Sequence, residues 1–389
     1  MNSDGISTLF VIQFGSNVGY AIGPLETLFF ELGLHLSNGN AGLVHFAYRD
    51  LEKGHPKSLP EDFRNITAFD IENGSSQVAE DLAEYVRTHR IRLVMFFDVH
   101  PVSPLYRKLR LSGATTLLSY YGAPVSSVMP LWKLAIKRFL LLCSRSKLDG
   151  LIFESQAMAD LAILGRGVPR DMIDIVPLGV DISKFSPGRT DYAHTTLCIP
   201  RGQKIVIYAG HMEPRKGVRT LVEAAIELIV GRKRTDVRFL ICGNKGDESR
   251  EYEAMYSGLH IEDKIIFGGY RSDMSRLYSS CLCGVIPSTG WDSFPRTSIE
   301  MAALGLPVIA SRLQGLCEAV IDGETGLLFE PGNATALADL LERILDNPTL
   351  AETLGRNGRL RCERELNLEV QKTRFLNVIQ ERLSLSRNN

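Results

Sequence analysis

The chain has 389 residues, which is too long for one ordinary domain and predicts two or three. Its 44 Lys and Arg residues against 45 Asp and Glu residues give a net charge of −1, which argues against a dedicated nucleic-acid binder with its usual basic excess. Hydrophobic residues at 44% and charged residues at 23% are close to globular averages and exclude wholesale disorder.

Short apolar strands alternate with amphipathic helices along the first half of the chain. Helical periodicity is clear at Val78–His89 and Ala157–Leu164, which lie between such strands. This alternation predicts right-handed βαβ units and a parallel sheet. The predicted strands are Thr8–Gln13, Leu43–Phe46, Asn65–Ile71, Arg92–Phe97, Thr115–Ser119, Gly150–Phe153 and Asp174–Pro177.

A second series of the same kind begins at Lys204 and predicts a second doubly wound domain. Its strands are followed by a helical region beyond Asn333. The predicted strands are Ile205–Ala209, Val237–Cys242, Lys264–Phe267, Cys281–Ile286, Pro307–Ala310 and Gly326–Phe329, and the predicted helices are Ala334–Leu345, Leu350–Arg364 and Leu368–Ser384.

The boundary between the two series is a polar stretch punctuated by Pro and Gly. We therefore assign residues 1–185 to the first domain, 186–202 to a linker and 203–367 to the second domain. Helix 368–389 is expected to return to the first domain.

Three features favour a cytoplasmic protein. Asp4 precedes the apolar run Leu9–Ile12 with no basic segment or cleavage site, so the start is unlike a signal peptide. No stretch of about 18 apolar residues could span a membrane. The seven cysteines form neither a CxxC pair nor a Cys/His metal spacing, which is typical of reduced structural thiols.

Two adjacent cations, Arg215 and Lys216, follow the first strand of the second series, within the loop Gly-His-Met-Glu-Pro-Arg-Lys-Gly. Ligands of open parallel sheets bind at the carboxyl ends of strands, where the next helix presents free N–H groups and a partial positive charge. This loop predicts an anion site suited to a diphosphate. A solvated Arg-Lys pair at a helix start is the alternative interpretation.

Two carboxylates, Asp292 and Glu300, stand on either side of a predicted helix start after the strand Cys281–Ile286. Backbone N–H groups near Phe294–Thr297 would bind phosphates there. Each carboxylate can accept two sugar hydroxyls, so the layout suits a nucleotide sugar. The alternatives are a turn residue for Asp292 and a solvent-exposed helix residue for Glu300.

A glycine loop, Gly15–Gly23, follows the first strand of the chain. Glycine at this place lets a ligand approach the backbone closely. A turn that starts a helix over Leu25–Leu36 is the simpler interpretation.

With these loops described, the chain resembles the retaining nucleotide-sugar glycosyltransferases of sequence family four, also called group 1 glycosyltransferases. The paired acids, the diphosphate loop, Gly305–Ser311 and Asp322–Leu328 carry the resemblance, together with Ile175–Asp181. The resemblance implies the GT-B architecture, in which two Rossmann-like doubly wound parallel-sheet domains face a central cleft.

The resemblance also implies roles for individual residues. Lys216 and Arg215 would bind the donor diphosphate, Glu300 the ribose hydroxyls and Asp292 the hydroxyls of the transferred sugar. The other donor-binding candidates are Gly23, His211, Gly243, Tyr270, Arg271, Ser293, Phe294, Pro295 and Arg296.

This sequence departs from the family pattern in both halves. Asp292 stands where the family usually has Glu, His211 replaces a common arginine, and Gly23 follows Ile rather than a second Gly. In the first half, Tyr121 occupies a position that is often histidine, while His100 matches another frequently histidine position. Both are candidates for catalytic roles, and packing in a loop is the alternative for His100.

The function implied is transfer of a sugar from a nucleotide-diphosphate sugar to an acceptor hydroxyl with retained anomeric configuration, in cell-surface polysaccharide or glycolipid synthesis. No Asp-x-Asp motif occurs, so we expect no metal and no cofactor beyond the donor as co-substrate. The alternatives are a catalytically silent nucleotide-sugar binding scaffold and a GT-B sugar-nucleotide epimerase.

A basic stretch in the first half predicts a further partner. Residues 99–148 contain eight Lys or Arg and no Asp or Glu. Within it, residues 131–147 mix bulky apolar residues with cations at helical spacing, which is typical of contact with an anionic membrane surface. The protein would then be peripheral on the inner face of the membrane and use a lipid-linked acceptor. The alternatives are a soluble anionic acceptor and a core position for Leu140–Leu142.

Overall fold

The structure is a computed structural model that describes residues 5–19, 22–73, 75–123, 128–243 and 246–388. Asp4, two residues of the Gly15–Gly23 loop (20 and 21), residues 124–127 of the basic stretch and Asn389 lie outside the described residues. The chain divides into two compact units, Met1–Val176 with Lys372–Asn389, and Pro177–Gln371.

The boundary therefore falls earlier than the sequence pattern suggests. Residues 177–185, which we assigned to the first domain, and residues 186–202, which we assigned to a linker, belong to the second unit. The reason is burial, because Phe185 and Ala193 are core residues of that unit. Arg359 also donates to the carbonyl oxygens of Ile182 and Phe185, at 3.1 and 2.8 Å.

The first unit is built on a seven-stranded parallel sheet with strand order β3-β2-β1-β4-β5-β6-β7. Its strands are β1 Thr8–Ile12, β2 Val44–Tyr48, β3 Ile66–Ala68, β4 Leu93–Phe97, β5 Thr116–Tyr121, β6 Gly150–Phe153 and β7 Ile173–Ile175. Its helices are α1 Ile22–Leu36, α2 Ser76–Thr88, α3 Pro104–Leu111, α4 Leu131–Cys143 and α5 Gln156–Arg166.

The second unit is built on a six-stranded parallel sheet with strand order β10-β9-β8-β11-β12-β13. Its strands are β8 Lys204–Ala209, β9 Val237–Cys242, β10 Ile265–Gly269, β11 Cys283–Ile286, β12 Val308–Ser311 and β13 Gly326–Phe329. Its helices are α6 Tyr192–Thr196, α7 Val218–Ile226, α8 Arg250–Glu253, α9 Met274–Tyr278, α10 Arg296–Ala303, α11 Leu316–Ala319, α12 Ala334–Asp346 and α13 Pro348–Glu365.

The last helix, α14 Leu368–Asn388, begins in the second unit and continues in the first. Its Phe375 lies in the aromatic core of the first unit, 5.2 Å between ring centroids from Tyr120. Arg382 donates from Nε and Nη2 to Asp174, at 2.9 and 2.8 Å. These contacts explain why the end of the chain belongs to the first sheet.

The predicted class, two doubly wound parallel sheets, is confirmed, and the strands differ from prediction mainly at their ends. The central strands are buried along their whole length because helices cover both faces of a parallel sheet, which is why they read as continuous apolar runs. Across the described ranges, no helix combines the length and apolarity needed to cross a membrane.

Candidate functional site

The strand order of the second sheet reverses at one pair, β8 and β11. These strands are neighbours in the sheet, but their connections lead to opposite sides of the pair. In open α/β sheets the carboxyl ends at such a reversal border a crevice where ligands bind. The two loops singled out from sequence, residues 210–217 after β8 and 287–295 after β11, therefore start side by side.

Backbone contacts hold these two loops together. The carbonyl oxygen of Arg215 accepts from the N–H groups of Thr289 and Gly290, at 2.8 and 3.1 Å. The guanidinium of Arg215 donates from Nη1 to the carbonyl oxygen of Trp291 at 3.0 Å and from Nε to Glu213 at 2.8 Å. Arg215 thus links the loops through both its backbone and its side chain.

Gly217 makes the close approach of the loops possible. Its φ of +70° is rare for other residues, and a Cβ there would lie 1.8 Å from the carbonyl oxygen of Pro287. Gly217 ends the 3₁₀ turn Pro214–Lys216 and directly precedes α7. The position therefore requires glycine for both its backbone conformation and its space.

Lys216 and Asp292, which are 76 residues apart in sequence, form an ion pair in the crevice. Lys216 Nζ lies 2.8 Å from Asp292 Oδ2, and the same oxygen accepts from Ser288 Oγ at 2.7 Å. Asp292 is only 5% exposed. Charge-assisted hydrogen bonds of this kind are stronger than neutral ones, so the carboxylate is held in one orientation.

The helix that follows, α10, points its N-terminus into the same loop. Pro295 precedes its first turn, and Ser298 donates from its backbone N–H and from Oγ to the Pro295 carbonyl, at 3.0 and 2.6 Å. The first N–H groups of a helix have no partner inside the helix and carry the positive end of its dipole. Glu300, on the second turn, is 3% exposed, so it is not a solvent-exposed helix glutamate.

Not every predicted residue of this loop presents its side chain. Phe294 is 2% exposed within the core of the unit, so only its backbone is available. Arg296 donates from Nη1 to the Gly179 carbonyl at 3.4 Å. The carbonyl of Ser293 lies where a Cβ on Gly315 would come within 1.1 Å. Gly315, directly before α11, therefore packs against the backbone of this loop at a distance that leaves no room for a side chain. Its sequence context does not indicate this role.

Three of the donor-binding candidates, Gly243, Tyr270 and Arg271, follow the ends of β9 and β10. A Cβ on Gly243 would lie 2.6 Å from the Gly210 carbonyl oxygen, so the loops after β8 and β9 touch through glycine. His211 is exposed, and its carbonyl accepts from Tyr208 Oη at 2.5 Å. Tyr270 is half exposed.

Arg271 has a structural partner within the same unit. It donates from Nε and Nη2 to the two carboxylate oxygens of Asp273, at 2.8 and 2.5 Å. Tyr192 also donates to Asp273, at 2.6 Å. The hydrogen bonds from Arg271, and to a smaller extent the one from Tyr192, lower the pKa of Asp273 to about 2. The guanidinium is thus engaged in holding α9 and α6 together.

In the first unit, Tyr121 is a core residue. Its ring stacks on Phe153 at 4.8 Å between centroids, and its hydroxyl donates to the Val99 carbonyl at 2.7 Å. Burial raises its pKa well above the usual value of a tyrosine. A buried, bonded and protonated phenol does not face a reaction site in this structure.

His100 and Gly23 lie in more open surroundings. His100 is exposed, with Nδ1 2.9 Å from the Val102 carbonyl oxygen, and partial burial lowers its pKa. A Cβ on Gly23, within α1, would meet only Ser58 at an ordinary 3.8 Å. The protein's own packing therefore does not require glycine at this position.

Asp98, directly after β4, is not among the site residues predicted from the sequence. It has a φ of +54° and follows β4, which with β1 forms the reversal point of the first sheet. Its Oδ1 accepts from the N–H groups of Gly122 and Ala123, at 3.0 and 3.2 Å, and burial raises its pKa to about 6. The sequence signal that could have identified Asp98 is its position directly after a predicted strand, at the carboxyl edge of the sheet.

The second unit contains the segment of the chain that resembles a known protein family. Residues 194–361 match the family model described as glycosyl transferases group 1. The chain is 31% identical over 196 residues to the D-inositol 3-phosphate glycosyltransferase of Arthrobacter sp. (strain FB24). That match covers 50% of this chain and 46% of the relative, so it spans about half the length of the curated protein.

Solved structures resemble the whole fold. A glycosyltransferase from Rickettsia africae ESF-5 matches with a TM-score of 0.79 and 20% identity, over 97% of this chain and 99% of that one. Anabaena Alr3699/HepE in complex with UDP matches with a TM-score of 0.76 and 16% identity, over 97% of this chain and all of that one (100%). At these identities the likeness shows the fold alone, which is the two-domain GT-B class.

Proposed function

We propose that the chain is a retaining glycosyltransferase that uses a nucleotide-diphosphate sugar, which the match of residues 194–361 to the group 1 glycosyl transferases supports. The sugar passes to the hydroxyl of a sugar or lipid-linked acceptor, in cell-surface polysaccharide or glycolipid synthesis. The observation that carries this proposal is the Lys216–Asp292 pair, held in the β8/β11 crevice beside the N-terminus of α10.

The donor would bind by exchanging partners within that pair. A diphosphate oxygen can replace Asp292 as the acceptor for Lys216, because phosphate offers the same charge-assisted hydrogen bond. Asp292 then becomes free to accept hydroxyls of the transferred sugar, while Ser288 keeps it oriented. Glu300 would accept the ribose hydroxyls, and the first N–H groups of α10 would meet the phosphates.

The chemistry we propose is a front-face substitution without a metal. The bond between the anomeric carbon and the diphosphate oxygen breaks, the bond to the acceptor oxygen forms on the same face, and the acceptor proton passes to the leaving phosphate. Lys216, Arg215 and the α10 dipole would stabilise the charge that develops on the diphosphate. Most of the catalytic effect would come from positioning and leaving-group stabilisation.

The first test is a thermal stabilisation screen with uridine, guanosine, adenosine and thymidine diphosphates. A ligand at 100 times its dissociation constant adds about 2.7 kcal/mol of stability. Uridine diphosphate is the first compound to test, because the HepE structure contains UDP. Stabilisation that is lost in Lys216→Ala supports the site, whereas equal stabilisation of both proteins contradicts it.

The second test separates an enzyme from the two alternatives. The matching nucleotide sugar is incubated with and without acceptor alcohols, in buffer containing EDTA, and the products are resolved by chromatography. Acceptor-dependent release of the nucleoside diphosphate, with a glycoside product whose anomeric configuration by NMR equals that of the donor, supports the proposal. Binding without turnover would indicate a silent scaffold, and sugar interconversion without acceptor would indicate an epimerase.

A further inference from the structure

Helix α4 of the first unit packs against the rest of that unit with its less apolar face. Leu141 is the buried residue of this helix, and Leu134, seven residues earlier on the same face, is half-buried. Gly167, at the end of α5 with a φ of +70°, would place a Cβ 2.8 Å from the Arg138 backbone nitrogen. The backbone of α4 is therefore pressed against the end of α5, which decides which face is turned outward.

The outward face of α4 is apolar. Trp132, Ile136, Phe139 and Cys143 follow the i, i+4, i+7, i+11 spacing of one helical stripe. Trp132 is 64% exposed, Ile136 52% and Phe139 66%, and Cys143 is exposed as well. Leu140 and Leu142, for which the sequence left a core position open, are also exposed. A surface helix of a soluble domain normally turns such a stripe toward the core, so this one is available to a partner.

Cations border the apolar stripe on both sides. Lys133 and Lys137 lie along one edge and Arg138 along the other, as helical spacing places them. Two further cations of the basic stretch are neutralised by neighbours, Lys108 by Glu80 and Arg110 by Asp149. For the three helix cations, no carboxylate among the described residues lies within salt-bridge distance. The border therefore keeps its positive charge.

We propose that α4 docks in the headgroup region of an anionic lipid bilayer. Trp132, Ile136 and Phe139 would enter the boundary with the acyl chains, while Lys133, Lys137 and Arg138 pair with lipid phosphates. An apolar stripe flanked by cations is the layout that binds in the plane of such an interface. The long basic side chains can reach the phosphates while their methylene groups follow the apolar surface.

The charge pattern favours a bilayer over a second copy of this chain. In a two-fold symmetric dimer the same patch meets itself, so the cationic borders would face one another without compensating carboxylates. An anionic bilayer supplies the opposite charge on both borders at once. The docking surface goes beyond sugar transfer, and because vesicle binding needs neither donor nor acceptor, its test is independent of the proposed activity.

The test is flotation of the full chain with vesicles of phosphatidylcholine alone or mixed with phosphatidylglycerol, at low and high salt. We expect binding only to the mixed vesicles and its loss at high salt. The triple variant Lys133→Gln, Lys137→Gln and Arg138→Gln should bind the mixed vesicles about a hundredfold more weakly. Each cation near an anionic surface contributes about 1 kcal/mol to binding, so three contribute about 3 kcal/mol. The matched control neutralises three exposed cations of the second unit, Lys233→Gln, Arg250→Gln and Arg356→Gln, and should leave binding unchanged.

A second pair of variants tests the apolar stripe. Trp132→Ser with Phe139→Ser should abolish flotation, whereas Val230→Ser with Leu259→Ser, exposed apolar residues of the second unit, should not. Circular dichroism and thermal melting check that each variant folds, as expected for exposed positions.

Fluorescence reports the depth of insertion. The chain has two tryptophans, and brominated lipids should quench the signal of wild type more than that of Trp132→Phe, which keeps the apolar stripe and should still float. Equal partitioning onto neutral and anionic vesicles, or onto neither, overturns the proposal. So does sedimentation showing a dimer that the Trp132→Ser, Phe139→Ser variant dissociates and that does not bind vesicles.

Discussion

The two sheets reverse their strand order in the same way, but their crevices are built differently. At β8/β11 the carboxylates Asp292 and Glu300 are buried, Asp292 is bonded to Lys216 across two loops, and Gly217 stands where a Cβ would clash with the neighbouring loop. In the first unit, Tyr121 at the end of β5 is packed into the core, and His100, which follows β4, is exposed. The candidate side chains of the second unit are thus fixed by contacts between two loops, whereas Tyr121 and His100 of the first unit are bonded to backbone carbonyls.

The sharpest test of this contrast is removal of the charges in the second crevice. Lys216→Ala and Glu300→Ala should each lower activity at least about a hundredfold, because each group is expected to stabilise the transition state by about 2.7–4 kcal/mol. Steady-state transfer assays measure the loss, with circular dichroism to verify the fold and Lys233→Ala as a matched control. Rates near wild type in both variants would remove these residues from the site.

Gly217→Ala tests whether the loops of the second crevice must touch. The added methyl group meets the Pro287 carbonyl oxygen, so we expect a loss of stability about 2 kcal/mol larger than in Gly332→Ala. Gly332 is the matched control, because its φ of +77° is equally unfavourable for alanine but nothing lies within 4 Å of the added carbon. Urea unfolding followed by fluorescence compares the two, and equal losses would show that the close approach is not needed.

A substitution of Asp98 tests whether burial of this carboxylate in the first unit destabilises the fold at neutral pH. Its folded pKa of about 6 lies above the unfolded value, so the protonated carboxyl stabilises the fold below about pH 4 and this contribution is lost as the pH rises through 6. Asp98→Asn keeps an acceptor for Gly122 and Ala123 without the charge. We expect it to be about 1–2 kcal/mol more stable than wild type at pH 7.5 and equal to it at pH 4. A constant difference across this range would contradict the assignment.

Tyr121→Phe gives the smallest expected effect and separates a core role from a catalytic one. Loss of the hydrogen bond to the Val99 carbonyl should cost about 1 kcal/mol of stability and change the transfer rate by less than about threefold. Thermal melting and transfer rates are measured on the same preparation. A hundredfold loss of rate with an unchanged melting temperature would instead place the hydroxyl in the reaction.

Much of the second crevice could be predicted from sequence because its signals are local. The alternation of apolar strands and helices identifies the sheet, and cations or acids directly after a strand lie at its carboxyl edge whatever the neighbouring strands are. Arg215, Lys216, Asp292 and the start of α10 are all in this category. The domain boundary was less well predicted, because the polar stretch before Lys204 packs through three buried residues, Phe185, Ala193 and Ile199, that periodicity does not reveal.

Other features depend on contacts between distant parts of the chain, and only the tertiary structure decides them. Lys216 meets Asp292 because β8 and β11 are neighbours in the sheet, and strand order is not written in either segment. Tyr121 is buried because the loop after β4 offers it the Val99 carbonyl. The pattern of α4 is apolar on more than one side, so the sequence determines that it forms a helix with cationic borders. Its outward face is set by close contact with Gly167 of a different helix, since packing against a neighbour, rather than periodicity alone, decides which stripe a helix buries.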